Sequence, residues 1–226
     1  MAFTPAALRF FRALAKNNNK EWFEAHRPEY EREVREPMRD LIGEMTARFA
    51  AFAPEIGGDP KRSMFRINRD IRFSSDKSPY KTNAACWFHH RRASSRVGSE
   101  ADAGSAGFYF HMEPGKSMVG GGVWMPPRPQ LNKLRDALAA DPVGFERMVK
   151  TLKPFGGLDD EAVLKRMPRG FSEDHPAAKW LRYQSFTSGR LLKDAEVTSA
   201  RLSAMLARDF ERLLPLVRWL NGALGL

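Results

Sequence analysis

Apolar side chains recur with helical spacing along the first quarter of the chain. Thr4 is a favourable N-cap for a helix predicted over Pro5–Ala15. Three asparagines before Lys20 predict that this helix ends and a second one begins, because asparagine competes for backbone hydrogen bonds and caps helices well. The spacing is again helical from Glu29 to Phe52, and Pro37 is expected to bend or split that helix.

Apolar and polar residues partly alternate in the middle third, which is typical of β-strands. The predicted antiparallel strands are Met64–Phe73, Asn83–His89, Ala106–Glu113 and Ser117–Met125. Residues 113–116 predict a hairpin turn between the last two strands. Residues 91–105 are rich in Ser, Gly and Arg and are expected to form a loop.

Helical spacing returns in the final third. The predicted elements are helices over Pro129–Ala140 and Pro142–Lys150, a loop over Lys153–Pro176, a short helix over Ala177–Arg182, a strand over Gln184–Ser188 and a helix over Thr198–Leu220 that bends at Pro215. We therefore predict an α+β fold, in which a mainly antiparallel sheet formed by the central third is packed by N-terminal and C-terminal helices. No repeat or long linker interrupts the pattern, so residues 1–226 are expected to form a single domain.

The composition supports a packed core, since 42% of the 226 residues are hydrophobic and 11% are aromatic. The single cysteine, Cys86, excludes an internal disulfide and a cysteine-rich zinc module, and it fits a reducing compartment. No stretch of about 18 apolar residues is present to span a membrane. We therefore expect a soluble, cytoplasmic protein without a membrane partner.

Positive charge is concentrated in one part of the chain, whose formal net charge is +10. Ten basic and two acidic residues lie between Lys61 and Arg96, so this segment alone carries +8. Such a concentration creates a local positive potential that attracts anions. The alternative is an arginine-rich composition without a specific role, which applies most to Arg91, Arg92 and Arg96.

Most candidate ligand-binding residues lie in Arg66–Thr82, whose sequence is R-I-N-R-D-I-R-F-S-S-D-K-S-P-Y-K-T. Arginine forks bind phosphate or carboxylate with two hydrogen bonds, and lysine adds a point charge. The candidates are Arg66, Arg69, Arg72, Asp76, Lys77, Tyr80 and Lys81. Asp70 either orients an arginine or acts as a catalytic base. The alternative for the segment is structural, with internal salt bridges and a turn.

A second candidate group lies in the predicted strand 106–113. Alternation puts Tyr109, His111 and Glu113 on one face, where they are candidate catalytic residues for acid–base chemistry. The alternatives are a metal-binding His–Glu pair or a solvated sheet face. Arg169, in the loop 153–176, is a further candidate ligand-binding residue. The residues assign no metal and no cofactor.

Three standard catalytic classes are excluded by the motifs that they require. A P-loop would need glycine at position 110, which is Phe110. No G-x-S-x-G nucleophile elbow occurs, and the five histidines do not form an H-E-x-x-H motif. P-loop, serine-hydrolase and standard zinc functions are therefore excluded.

Several motifs together indicate a known family. They are N-N-N-K-E-W-F (Asn17–Phe23), the Arg66–Thr82 segment, G-F-Y-F-H-M-E-P-G (Gly107–Gly115), G-G-G-V-W-M-P (Gly120–Pro126), M-P-R-G-F (Met167–Phe171) and D-H-P (Asp174–Pro176). In these motifs nearly the whole chain resembles a widespread bacterial and fungal family of conserved hypothetical proteins, a domain of unknown function. The resemblance implies a single-domain member and brings no catalytic residue, substrate or cofactor. The chain departs from the family pattern at Asn68, where an aromatic residue is usual, and in a longer 91–105 loop.

Three functions remain open. The first is a pocket for a small phosphorylated or carboxylated ligand, with or without catalysis. The second is a nucleic-acid-binding surface that includes the later arginines, with an affinity that falls steeply with salt. The third is a non-enzymatic domain in which the charges form internal salt bridges. We rank the pocket first and nucleic acid second, because the aromatic residues are predicted to point inward rather than to accompany the basic ones.

Overall fold

Helices form the N-terminal part of the chain. The structure is a computed structural model, and it describes residues 3–72, 76–93 and 104–226. The helices are α1 (Pro5–Lys16), α2 (Lys20–Ala25), α3 (Arg27–Tyr30) and α4 (Glu36–Phe52), and a π-helical turn, Glu31–Arg35, joins the last two. None of the helices in the described part of the chain is both long and apolar enough to cross a membrane.

The ends of these helices follow from local side-chain chemistry. The Thr4 side chain accepts a hydrogen bond from the Ala6 N–H, and the Asn19 side chain accepts one from the Trp22 N–H, so both predicted N-caps are confirmed. The predicted break near Pro37 takes the form of the π-helical turn immediately before it. Proline lacks the N–H that would continue the regular hydrogen-bond ladder.

Five antiparallel strands form one sheet in the order in which they occur in the chain. They are β1 (Ile56–Gly57), β2 (Ala84–His90), β3 (Gly107–Met112), β4 (Ser117–Val123) and β5 (Phe186–Leu192). Helices α5 (Arg128–Ala140), α6 (Pro142–Thr151) and α7 (Ala178–Leu181), with a 3-10 turn at Lys153–Phe155, lie between β4 and β5. Helices α8 (Asp194–Val197) and α9 (Leu202–Leu224) follow β5. The predicted α+β fold is confirmed, with helices at both ends of an antiparallel sheet.

One face of the sheet, which we call the core face, packs against the long helices. Phe108 of β3 is fully buried, and its ring stacks on Phe210 of α9 at a centroid distance of 4.7 Å and on Phe49 of α4 at 5.6 Å. Phe110 is also fully buried. Large aromatic side chains therefore join the sheet to helices from both ends of the chain.

The predicted strand Met64–Phe73 is wrong as a continuous strand. Met64 forms an isolated bridge with Cys86 at the edge of β2, and Asn68 forms another with Tyr80. The chain therefore leaves the sheet after its first few residues and pairs with its own returning segment, as the interrupted apolar alternation at Arg69 indicated. Phe73 lies outside the described residues, as do Arg96 and most of the predicted loop 91–105.

Candidate functional site

The face of the sheet opposite the core, which we call the outer face, carries alternate residues of β2 and β3. Ala85 is paired with His111 and Trp87 is paired with Tyr109. Phe65 joins this face at the edge of β2, where its N–H donates to the Ala85 carbonyl oxygen at 3.0 Å. Side chains on this face point away from the packed helices because strand residues alternate between faces.

Three basic residues, which we call the cation cluster, lie beside the outer face: Arg66, Arg69 and Lys81. Burial, followed by the nearby charges of the two arginines, lowers the pKa of Lys81. In residues 3–72, 76–93 and 104–226 no carboxylate lies within ion-pair distance of its ammonium, which sits 5.6 Å from the centre of the Phe65 ring. The cluster thus contains a partly desolvated positive charge whose closest charged neighbours have the same sign.

Arg69 is more buried than Arg66, with 23% of its side chain exposed. Its Nη2 donates to Asp76 Oδ2 at 3.0 Å and to the Tyr80 carbonyl oxygen at 3.3 Å. Asp76 also accepts from the Ser78 N–H, which is the main cause of its lowered pKa. The Arg69 Nε is buried and has no hydrogen-bond partner among the described residues. This guanidinium retains hydrogen-bonding capacity that the protein itself does not use.

Asp70 is engaged by an arginine and is therefore a weak candidate for a base. Arg72 donates from Nε and Nη2 to its two carboxylate oxygens at 3.0 and 2.8 Å, which holds the pKa of Asp70 well below its usual range. Arg66 Nη2 is 3.7 Å from the same carboxylate. The geometry favours the orienting role for Asp70 over the catalytic role. Lys77 is exposed and donates to the Ile71 carbonyl oxygen at 2.8 Å.

Tyr80 anchors the segment instead of facing a ligand. It is buried, and its ring stacks on Phe23 of α2 at a centroid distance of 4.1 Å. The Asn18 side chain accepts from the Tyr80 N–H at 3.1 Å and donates to its carbonyl oxygen at 2.9 Å. From the sequence only a helix-breaking role was expected for Asn18, although an amide that can both donate and accept is well suited to hold an extended backbone.

A hydrogen-bonded chain, which we call the relay, runs along β3 on the outer face. The Tyr109 hydroxyl is 3.0 Å from His111 Nδ1, and His111 Nε2 is 3.1 Å from Glu113 Oε2. Because a carboxylate only accepts, Nε2 carries the ring proton and Nδ1 accepts from the phenol when the imidazole is neutral. Burial raises the pKa of Tyr109 to about 12, so its hydroxyl remains a donor.

The relay and the cation cluster lie at the same end of the outer face. The Lys81 ammonium lies 5.6 Å from the centre of the Phe65 ring, and that ring centre lies 6.1 Å from the centre of the Tyr109 ring, where the relay begins. The structure thus brings together residues that are distant in the sequence.

Aromatic rings lie between these two groups, contrary to the expectation that the aromatics point inward. The Phe65 and Tyr109 ring centroids are 6.1 Å apart, and those of Trp87 and Tyr109 are 6.5 Å apart. All three side chains are half-buried. Phe65 and Trp87 were not among the predicted site residues, although their alternation relative to Met64 and Cys86 places them on the outer face.

Other candidates lie elsewhere. Arg169 is exposed in a loop that is hydrogen-bonded to Thr187 of β5, through the Asp159 N–H, and to Arg182 just after α7, through the Leu164 N–H. In the sheet, β3 and β4 lie between β5 and β2, beside which the cation cluster lies. Arg91 is held by the Pro54 carbonyl oxygen at 2.9 Å. Within the residues that the structure describes, no three His, Cys, Asp or Glu side chains gather as a metal site would require.

The cation cluster is open to solvent at Arg66. Two shallow depressions lie away from it, one of about 370 Å³ along α6 and one of about 290 Å³ beside the start of α4. The Arg66 side chain is 69% exposed. A ligand could therefore reach the cluster directly from solvent.

Comparison with protein-family models identifies a match over most of the chain. The family model described as conserved hypothetical protein (DUF2461) matches residues 6–219. Neither the curated proteins nor the solved structures contain a match.

Proposed function

The chain belongs to the conserved hypothetical protein family DUF2461, and we propose that it binds a small anion bearing a phosphate or carboxylate group at the cation cluster. Arg66, Arg69 and Lys81 supply the charge and the hydrogen-bond donors. Asp70 and Asp76 orient the neighbouring arginines. Arg72 and Lys77 contribute to the surrounding positive potential.

The state of Lys81 is the observation that carries this proposal. Desolvation and two positive neighbours both disfavour its charged form. Segment 66–81 contains five basic and two acidic residues, so its own carboxylates leave a net positive charge. An anion bound there would remove the repulsion between Lys81 and the two arginines and accept hydrogen bonds from the exposed Arg66 guanidinium, which makes binding favourable.

The relay supplies groups suited to proton transfer beside this anion. His111 lies between a phenol and a carboxylate, which is the arrangement of a base oriented by a third group. In this proposal Tyr109, His111 and Glu113 are the acid–base groups, and any reaction would occur where the relay and the cation cluster meet.

The alternative is a purely structural role for these charged residues, and it explains some of them but not all. Internal ion pairs account for Arg72 with Asp70 and for Arg69 with Asp76. They do not account for Lys81, whose ammonium forms no ion pair with a carboxylate among the described residues and lies near two arginines.

The test measures melting temperature with sodium phosphate and with citrate, against sodium chloride of equal ionic strength. Wild type and the control Lys133→Gln, an exposed lysine on α5, should be stabilised by at least one of the two anions, because a ligand that binds only the folded state raises stability. Lys81→Gln should lose most of the shift. Equal shifts in Lys81→Gln and wild type, or none with either anion, would contradict the proposal.

A further inference from the structure

We infer that the bound anion is a nucleotide, with its phosphate in the cation cluster and its base stacked on the aromatic rings of the outer face. This inference rests on the proposed function and names its ligand class. The aromatic rings in question are Phe65, Trp87 and Tyr109, which we call the ring cluster.

The ring cluster is separate from the hydrophobic core. Met64 and Ile67 pack against the core, whereas Phe65, between them in the sequence, points to the outer face. Trp87 and Tyr109 lie on that face because Cys86 and Phe108, their neighbours in the chain, are on the core face. Half-buried aromatic rings on the open side of a sheet offer flat apolar area that folding has not used.

Glycines leave room beside these rings. Gly107 is on the outer face, and a methyl group at its Cα would lie 2.0 Å from the Phe88 carbonyl oxygen and 3.0 Å from Cζ2 of Trp87. Only glycine therefore lets the indole lie against β3 in this way. Gly120 is paired with Tyr109 on β4, so the position directly opposite the phenol carries no side chain of its own, and only one side-chain atom, the Cε of Met118, comes within 3.9 Å of the place where a Cβ would lie. A planar group can approach the Trp87 and Tyr109 rings across this surface.

Charge and rings are adjacent, and their spacing selects the ligand. The Lys81 ammonium is 5.6 Å from the Phe65 ring, whose centroid is 6.1 Å from that of Tyr109. In a nucleoside monophosphate, the phosphate and the base are separated by a length comparable to that between the Lys81 ammonium and these rings. Such a ligand carries both a dianion and a flat base. A sugar phosphate or a small carboxylate satisfies the cations but leaves the rings without a partner. Interleaved aromatic and basic side chains are the arrangement that binds bases and phosphates together.

The experiment is a titration of wild type, followed by tryptophan fluorescence and calorimetry, with adenosine monophosphate, ribose 5-phosphate and inorganic phosphate. Stacking on an aromatic ring contributes roughly tenfold or more in affinity. We therefore expect adenosine monophosphate to bind at least tenfold more tightly than ribose 5-phosphate. Trp87→Leu should abolish this preference while leaving inorganic phosphate binding unchanged.

Two further variants control for folding and for tryptophan content. Trp87→Phe keeps an aromatic ring and should retain most of the preference, which a merely structural role of the indole would not predict. Trp124→Leu removes a tryptophan that is 57% exposed at the far end of β4 and should behave as wild type. Unchanged melting temperatures without ligand establish that each variant is folded.

The outcomes separate this inference from the proposed function. If ribose 5-phosphate and adenosine monophosphate bind equally, the anion site stands and the nucleotide inference is overturned. If neither binds and inorganic phosphate also fails, the anion site is overturned as well. A single-stranded oligonucleotide that competes with adenosine monophosphate, with an affinity that falls steeply with salt, would support the inference and identify a nucleic-acid strand as the source of the nucleotide.

Discussion

The two faces of the sheet use consecutive residues of the same strand in opposite ways. On the core face of β3, Phe108 and Phe110 are completely buried against helices from both ends of the chain. On the outer face, Tyr109 and His111 form the relay, beside cations that retain repulsion and an unused donor. The side chains of the core face are fully packed against the protein, whereas the outer face retains like charges near one another and a hydrogen-bond donor without a partner. That difference indicates which side of the molecule stabilises the fold and which side is available for a ligand.

The largest expected loss of stability is at Phe108, and it is best compared with the loss at its neighbour in β3, Tyr109. Phe108→Ala should lower the free energy of unfolding by about 3–5 kcal/mol, because it removes a ring packed between α4 and α9 and leaves a cavity. Tyr109→Ala should cost only about 1–2 kcal/mol, since its side chain is half-buried and its hydroxyl makes one hydrogen bond. Urea denaturation followed by circular dichroism measures both. Equal losses would mean that the two faces do not differ as described.

An intermediate effect is expected where the outer face is fastened to the N-terminal helices. Asn18→Ala should cost about 1–3 kcal/mol, because the N–H of the buried Tyr80 loses its partner and its carbonyl oxygen keeps only the longer hydrogen bond from Arg69. The phosphate-dependent shift in melting temperature should also decrease, since Arg69 donates to the same carbonyl oxygen. Asn17→Ala is the control: its side chain bonds the Ala13 carbonyl oxygen at the surface, and its loss should cost less than about 0.5 kcal/mol. A reversed order of the two variants would refute the anchoring role of Asn18.

The smallest expected change in stability is at Lys81, where substitution should stabilise the protein instead of destabilising it. Without ligand, Lys81→Gln should raise the melting temperature by roughly 1–2 °C at neutral pH, because solvent screening keeps the relieved repulsion small. Since the pKa of Lys81 is lowered in the folded protein, the unfolded chain binds more protons between that pKa and the ordinary 10.5. Wild type should therefore gain stability relative to the variant as pH rises through this range. Calorimetry from pH 7 to pH 10 in chloride tests this, and a destabilised variant at pH 7 would show that Lys81 supports the fold.

Periodicity predicted the helices and the central strands because both depend on neighbouring residues. The caps at Thr4 and Asn19 and the hairpin after β3 follow from local hydrogen bonding and are seen in the structure. The relay was also predictable, since Tyr109, His111 and Glu113 alternate along one strand. The family was recognisable from its motifs, and its model covers most of the chain.

Features that depend on contacts between distant parts of the chain could not be predicted from periodicity. Tyr80 is polar at one end only, and its burial against Phe23 depends on a helix more than 50 residues earlier. The segment after Met64 alternates like a strand, yet it lacks a neighbouring strand to pair with beyond the edge of β2 and turns back on itself. The ring cluster was missed because the sequence alone does not show that β2 and residues 63–65 share an open face.

The connections between strands have a consequence for the order in which the molecule assembles. Residues 113–116 close the β3–β4 hairpin, whereas β5 reaches β4 only across residues 124–185. Short loops close with less entropy loss, so we expect the hairpin to form early and β5 to dock late. Every residue of the proposed nucleotide surface lies before β4 in the chain, whereas Phe108 is covered only when α9 has been synthesised. We therefore expect the apolar side of β3 to stay exposed on a nascent chain until α9 arrives, and exposed apolar strands of this kind favour chaperone binding.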